Sequence, residues 1–262
     1  MRDAVQERAP ELLERCIELV GEDPFARVEE STRFAQPAIF CASLAAWEAF
    51  GLEPGVAAGH SLGELAALTA AGVLGREDAL ELVVLRGRLM AEADPEGSMI
   101  ALIGGTPEDA QAVAEAAGVT VANDNAPGQI VLSGPRRALA AAEEAAGERG
   151  RRTLPVDVAG AFHSPSMRPA VAPFRAALDA VELSEPRFAV VSCATTRPFD
   201  DVRAELAQAL VRPVRWRETV LALHGAGVRR FVEVGPGTVL ARMGKRILPD
   251  CPVEALAEGI HA

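Results

Sequence analysis

With 262 residues, 49% of them hydrophobic and 24% charged, the chain can bury a sizeable core and is neither disordered nor fibrous. A formal net charge of −11 sets it against nucleic acid and membrane surfaces, both polyanionic, while leaving room for a local basic patch. No apolar run is long enough to span a bilayer, and the charged start from Met1 to Arg8 lacks the apolar stretch of a signal peptide, so a cytoplasmic protein is expected.

Residues 9–19 place Leu12, Leu13, Cys16 and Ile17 at helical spacing, which predicts an amphipathic surface helix. A polar stretch ends at Pro37. The nearly apolar run from Ala38 to Trp47 then predicts a buried central helix with Pro37 near its first turn and Gly51 at its end. Gly55 to Ala58 reads as a short buried strand and Leu62 to Thr69 as a helix, and between them stands Gly59-His60-Ser61-Leu62-Gly63, a G-x-S-x-G elbow. Such a turn lifts a serine out of the backbone, and glycine on both sides leaves room for an acyl group. A long helix follows from Arg76 to Ala93.

From Met99 the pattern becomes strand, helix, two strands, helix, strand: Met99 to Ile103, Pro107 to Ala117, Val119 to Ala122, Gln129 to Leu132, Pro135 to Gly147 and Arg152 to Val156. This βαββαβ order predicts a ferredoxin-like subdomain over 97–157, inserted in a larger α/β domain made of 1–96 and 158–262, with a cleft between them. The return loop through Gly160-Ala161-Phe162-His163-Ser164 leads to a helix from about Pro169 to Val181. Phe188 to Cys193 and Arg230 to Val234 are apolar runs suited to buried parallel strands, and a last helix passes through Val239, Leu240 and Met243.

Serine needs a base before it attacks a carbonyl, and the chain offers four imidazoles. His60 is the chain neighbour of Ser61 in a tight turn, where side chains rarely meet. His224 falls near a helix end and suits a dipole-capping role, and His261 is next to the last residue. His163, on the return from the insertion, is favoured because its loop can reach across to the elbow. The helix after the elbow directs its first N–H groups at the oxygen that becomes negative on attack. Arg86 stands within the apolar stripe of its helix, three and four residues from Leu82, Val83, Leu89 and Met90, whereas Arg88 faces Glu92 at i+4 as on a solvated face. A charge so placed needs an anion, either an internal carboxylate or a ligand. The cysteines at 16, 41, 193 and 251 are scattered, with no Cys/His pair at ligand spacing, which predicts reduced thiols and no metal.

Six motifs occur in order: GHSLGE, the LRG around Arg86, NDNAPGQ from Asn123 to Gln129, GAFHS, PVRW from Pro213 to Trp216, and EVGPG. Together the chain resembles the malonyl-CoA:acyl carrier protein transacylases and the related acyltransferase domains of polyketide synthases, over nearly its whole length. The resemblance implies an α/β-hydrolase-like core of parallel strands with a ferredoxin-like insertion. It also implies ping-pong transfer of malonyl from malonyl-CoA to the phosphopantetheine thiol of acyl carrier protein, by a monomer without cofactor. Ser61 would be the nucleophile, His163 the base, Arg86 the partner of the malonyl carboxylate, Leu62 an oxyanion N–H donor and Asn125 a polar residue near the substrate. Ala161-Phe162 before His163 matches malonyl-selective domains, in which the phenylalanine would exclude a methyl branch.

Two departures stand out. Ala209 takes the place of a glutamine whose main-chain carbonyl orients the histidine in that family. The family's first strand and its G-Q-G-S-Q loop, source of the second oxyanion donor, have no counterpart here, so a shortened and catalytically weakened chain with a misassigned start is expected. The other readings are a serine thioesterase or hydrolase, which the same elbow and histidine would serve, and a non-catalytic carrier-protein-binding module. The sequence leaves fatty-acid, polyketide and malonate-decarboxylase pathways open.

Overall fold

The computed structural model describes residues 1–51 and 53–256, so His261 lies outside the described residues. The chain opens with α1 (Arg2–Arg8) and α2 (Pro10–Val20), whose buried side is Leu12, Leu13, Cys16 and Val20, and Gly21 at φ 86° ends α2 in the left-handed region. The central helix α3 spans Thr32–Phe50 and starts earlier than the sequence suggests: the Ser31 hydroxyl accepts from the Arg33 N–H and caps it, which leaves Pro37 inside the helix. Proline there withholds the N–H that would meet the Arg33 carbonyl. The helix that carries Gly87 packs closely against the same turn. A Cβ on Gly87 would lie 2.9 Å from the Thr32 carbonyl oxygen and 3.4 Å from that of Arg33.

Gly51, at φ 69°, caps the far end of α3, and β1 (Val56–Ala58), α4 (Gly63–Ala70) and α5 (Arg76–Ala93) follow. The βαββαβ unit is present as β2 (Gly97–Ile103), α6 (Pro107–Ala117), β3 (Thr120–Ala126), β4 (Gln129–Pro135), α7 (Arg136–Glu148) and β5 (Arg152–Val156). Its antiparallel sheet has the order β3-β4-β2-β5. Alternation along these strands serves two cores. Ile100, Leu102, Ile130 and Leu132 pack with Val113 and Leu139 of the two helices, while Met99 and Val131 join the main core.

The chain continues through α8 (Arg168–Ala180), β6 (Ala189–Val191), α9 (Val202–Ala209), α10 (Trp216–Gly225), β7 (Phe231–Glu233), α11 (Val239–Ile247) and β8 (Val253–Ala255). Parallel strands β1 and β6 pair from Val56 with Ala189 to Ala58 with Val191, and β7 pairs parallel with β8. The main core gathers Leu13, Phe40, Leu65, Leu80 and Phe174, all nearly free of solvent, around the β1–β6 pair. One further junction matters for the site. The Val214 N–H donates to the Ala122 carbonyl and the Asp124 N–H to that of Val214, so the insertion is tied to the segment leading into α10. The fold is α/β, with short parallel strands in the main core and a ferredoxin-like insertion. Among the described residues no helix is long and apolar enough to cross a membrane.

Candidate active site

The elbow is built by backbone contact. Ser61 sits at φ 53° between β1 and α4; the Gly63 N–H donates to the His60 carbonyl and the Glu64 N–H to that of Ser61. A Cβ on Gly59 would come within 1.9 Å of the Gly63 carbonyl carbon, so position 59 admits glycine alone. At Gly63 the crowding is not the protein's own: nothing of it lies within 4 Å of the space its Cβ would fill, which leaves the room expected for an acyl group. Its freedom faces outward, and only a ligand could crowd it.

Ser61 Oγ lies 2.8 Å from His163 Nε2, the two brought together across 102 residues of chain. His163 Nδ1 lies 2.9 Å from the Ala209 carbonyl oxygen and 3.1 Å from that of Arg212. Carbonyls only accept, so Nδ1 carries the proton and Nε2 presents a lone pair to the serine. Ala209 is the last residue of α9, where carbonyls lack intrahelical donors, and the helix end thereby does the work often given to an aspartate. A main-chain carbonyl asks little of the side chain beneath it, so alanine serves at this position. The His163 ring is buried at 4% exposure; burial foremost, and then the Arg86 charge, hold its pKa down to about 3.

Arg86 projects from α5 into the same place, also 4% exposed. Its Nη2 donates to Ser61 Oγ at 3.0 Å and its Nη1 to Gln36 Oε1 at 2.6 Å. Among the described residues it has no carboxylate within 4.0 Å. Burial lowers its pKa to about 10, partly offset by the field of Glu64. The internal carboxylate left open by the sequence is absent among the described residues: serine and glutamine hold the fork instead. Arg88, by contrast, is exposed, as its spacing predicts.

The remaining expected residues flank this centre. Leu62 is the N-cap residue of α4 and is 9% exposed, which puts its N–H at the helix start beside Ser61. Asn125 is buried, but its Oδ1 accepts from His60 Nε2 at 2.8 Å rather than facing Ser61, and His60 lies edge-on to Trp216 at 5.7 Å between ring centroids. Phe162 is buried beside His163, with its ring over Gly160, where a Cβ would meet it at 2.4 Å. His224 stands in the last turn of α10, the place its dipole role predicts.

Two polar residues went unnoticed in the sequence. Gln36 is 5% exposed on α3 and holds Arg86; its position at the end of a polar stretch disguises it. Glu64 is 1% exposed and accepts from the Cys193 N–H at 2.8 Å, tying α4 to the segment after β6. Desolvation raises its pKa. Its signal was available: a carboxylate in the first turn of an otherwise apolar helix. The assembly as a whole can deprotonate an alcohol, direct it at a carbonyl and offer a buried cation to an acid group close by.

Residues 16–259 match the model of the Acyl transferase domain family. The chain is 39% identical over 227 residues to the malonyl CoA-acyl carrier protein transacylase of Bacillus subtilis, covering 81% of this chain and 72% of that protein. It is 37% identical over 266 residues to the polyketide biosynthesis protein ThaF of Burkholderia thailandensis, covering 95% of this chain but 23% of the relative. A solved complex of a type II polyketide synthase acyl-carrier protein with its malonyl-transacylase superposes with TM-score 0.87 at 33% identity, over 97% of this chain and 86% of that one.

Proposed function

The chain belongs to the acyl transferase domain family and transfers malonyl from malonyl-CoA to acyl carrier protein, and we propose that Ser61, His163 and Arg86 carry both half-reactions. The observation that carries the reading is the position of Ser61 Oγ, 2.8 Å from a lone-pair imidazole nitrogen and 3.0 Å from a buried guanidinium that among the described residues has no carboxylate of its own.

In the first half-reaction His163 Nε2 takes the Ser61 proton, Oγ attacks the thioester carbonyl, and the oxyanion turns to the Leu62 N–H at the start of α4. The tetrahedral adduct collapses, the C–S bond breaks, and the CoA sulfur leaves with the proton from His163. In the second, His163 takes the proton of the phosphopantetheine thiol, the thiolate attacks the malonyl-serine ester, and Ser61 departs reprotonated. Esterified Oγ is a weak acceptor, so the Arg86 fork passes to the malonyl carboxylate, which it fits bidentately. A plain acetyl group offers it nothing. Phe162 limits branching at the acyl α-carbon, so methylmalonyl is a poor substrate, and Asn125 supports the pocket wall through His60. We assign 1–96 and 158–262 to the acyltransferase domain and 97–157 to the inserted subdomain, acting as a cytoplasmic monomer. Its net charge of −11 disfavours membranes and nucleic acid.

The test is to incubate the protein with labelled malonyl-CoA and map the adduct. Label is expected on Ser61 and absent in Ser61→Ala; label elsewhere rejects the assignment. Arg86→Ala is expected to lose malonyl transfer by about 100-fold or more while acetyl transfer persists, because a buried unpaired carboxylate costs several kcal/mol. Equal losses for both acyl groups would make Arg86 structural.

A further inference from the structure

A buried guanidinium is ordinarily neutralised by a carboxylate, yet the side chain 2.6 Å from Arg86 Nη1 is the neutral amide of Gln36. Arginine has only donors, so the amide must turn its oxygen toward Arg86. Its nitrogen then faces away, donating to Thr32 Oγ1 at 2.8 Å and to Met90 Sδ at 3.3 Å, and no other orientation satisfies all three neighbours. The nearby buried carboxylate, Glu64, is turned to the Cys193 N–H instead. Arg86 is therefore held in place by a neutral acceptor, and its charge is met only by the field of Glu64 and by no carboxylate in contact among the described residues.

We propose that Gln36 is a specificity-determining positioning residue: it anchors Arg86 through a neutral acceptor and so leaves the guanidinium charge for the carboxylate of the acyl group. This rests on the reading that Arg86 binds that carboxylate. A glutamate of the same length would complete an internal ion pair, and the substrate's carboxylate would then have to compete with it. Thr32 acts one step behind, accepting from the amide nitrogen and holding the Gln36 side chain against the arginine.

The experiment compares Gln36→Glu, Thr32→Val and Arg86→Ala in the full chain, with kcat and KM measured separately for malonyl-CoA and acetyl-CoA in the presence of carrier protein. Gln36→Glu is expected to raise KM for malonyl-CoA on the order of 10- to 100-fold, the scale of a charge-assisted contact, with acetyl transfer unchanged or faster. Thr32→Val, nearly isosteric, is expected to shift the malonyl-to-acetyl ratio in the same direction by a few-fold, and it carries the test by itself if the glutamate variant does not fold. If Arg86→Ala loses the preference for malonyl while both other variants keep the wild-type ratio, or lose both activities equally, Gln36 is packing and the inference falls. If Arg86→Ala keeps the preference, it is the underlying role of Arg86 that fails.

Discussion

A ring buried beside a guanidinium resists a second proton, and this sets the pH behaviour of His163. Its pKa of about 3 lies far below the ordinary 6.5, through burial first and the Arg86 charge second. The base therefore stays unprotonated through mild acid. The kcat/KM for acylation by malonyl-CoA, which reports the free enzyme, is expected to stay flat from about pH 8 to about pH 5, and an acid limb centred on 6.5 would contradict the buried placement. Stability follows the same titration. The unfolded chain binds the His163 proton below 6.5 and the folded chain does not, so stability present above 6.5 is lost as pH falls toward the folded value. Thermal melts of wild type and His163→Asn between about pH 7 and pH 4 should show the steeper decline in wild type, because only wild type carries this proton linkage.

At the scale of elements, the two glycines of the elbow are expected to part company. Gly59→Ala forces a Cβ into the Gly63 backbone at 1.9 Å and should abolish malonyl-enzyme formation together with a large drop in melting temperature. Gly63→Ala meets nothing within 4 Å and adds a better helix former to the first turn of α4, so it should be as stable as wild type or up to about 1 kcal/mol more stable. Any loss of acylation there would then reflect crowding of the acyl group alone. The sequence disclosed elements wherever a period ran long enough: α5 and α6 keep their expected ends, while β3 and β4 run on to Ala126 and Pro135, past their expected ends at Ala122 and Leu132, because the polar NDN stretch pairs through shifts in register. It misplaced the start of α3 because a proline reads as a first-turn residue, whereas the Ser31 cap has already set the helix at Thr32. The runs from Phe188 and Arg230 yield strands of only three residues each. Within the site, Ser61, His163 and Arg86 were legible from motif and charge placement. The resemblance pointed to the Ala209 carbonyl, whereas that of Arg212 was hidden, since a main-chain acceptor leaves no mark in side-chain identity. Gln36 was hidden because an amide among polar residues gives no sign that it faces inward.

For the whole molecule, the question is where a carrier protein docks on a chain of net charge −11. An acidic face of that partner would meet basic residues, and those that could serve are Arg149, Arg151 and Arg152 on the insertion and Lys245 and Arg246 on α11. Several are already engaged: Arg151 pairs with Asp109, Arg149 donates to the Ala145 carbonyl, and Arg246 donates to Gln129 Oε1. Arg152 and Lys245 are exposed and make no ion pair among the described residues. Reversing either charge should raise KM for the carrier protein several-fold at low salt and leave KM for malonyl-CoA nearly unchanged, as for rim charges that guide association. Parallel changes in both would place the docking surface elsewhere. A different consequence follows from the backbone of the catalytic pair. Ser61 at φ 53° and His163 at φ 55° occupy a region that residues with a Cβ rarely adopt and achiral glycine adopts freely. Ser61→Gly and Ser61→Ala both remove the hydroxyl, but glycine should be the more stable by about 1 kcal/mol, because only alanine keeps a Cβ in that conformation. Thermal melts of the two inactive variants measure the difference. Fold maintenance alone would thus favour a residue without a Cβ at position 61, and in a copy of this chain relieved of catalysis the nucleophile would be among the first residues to drift.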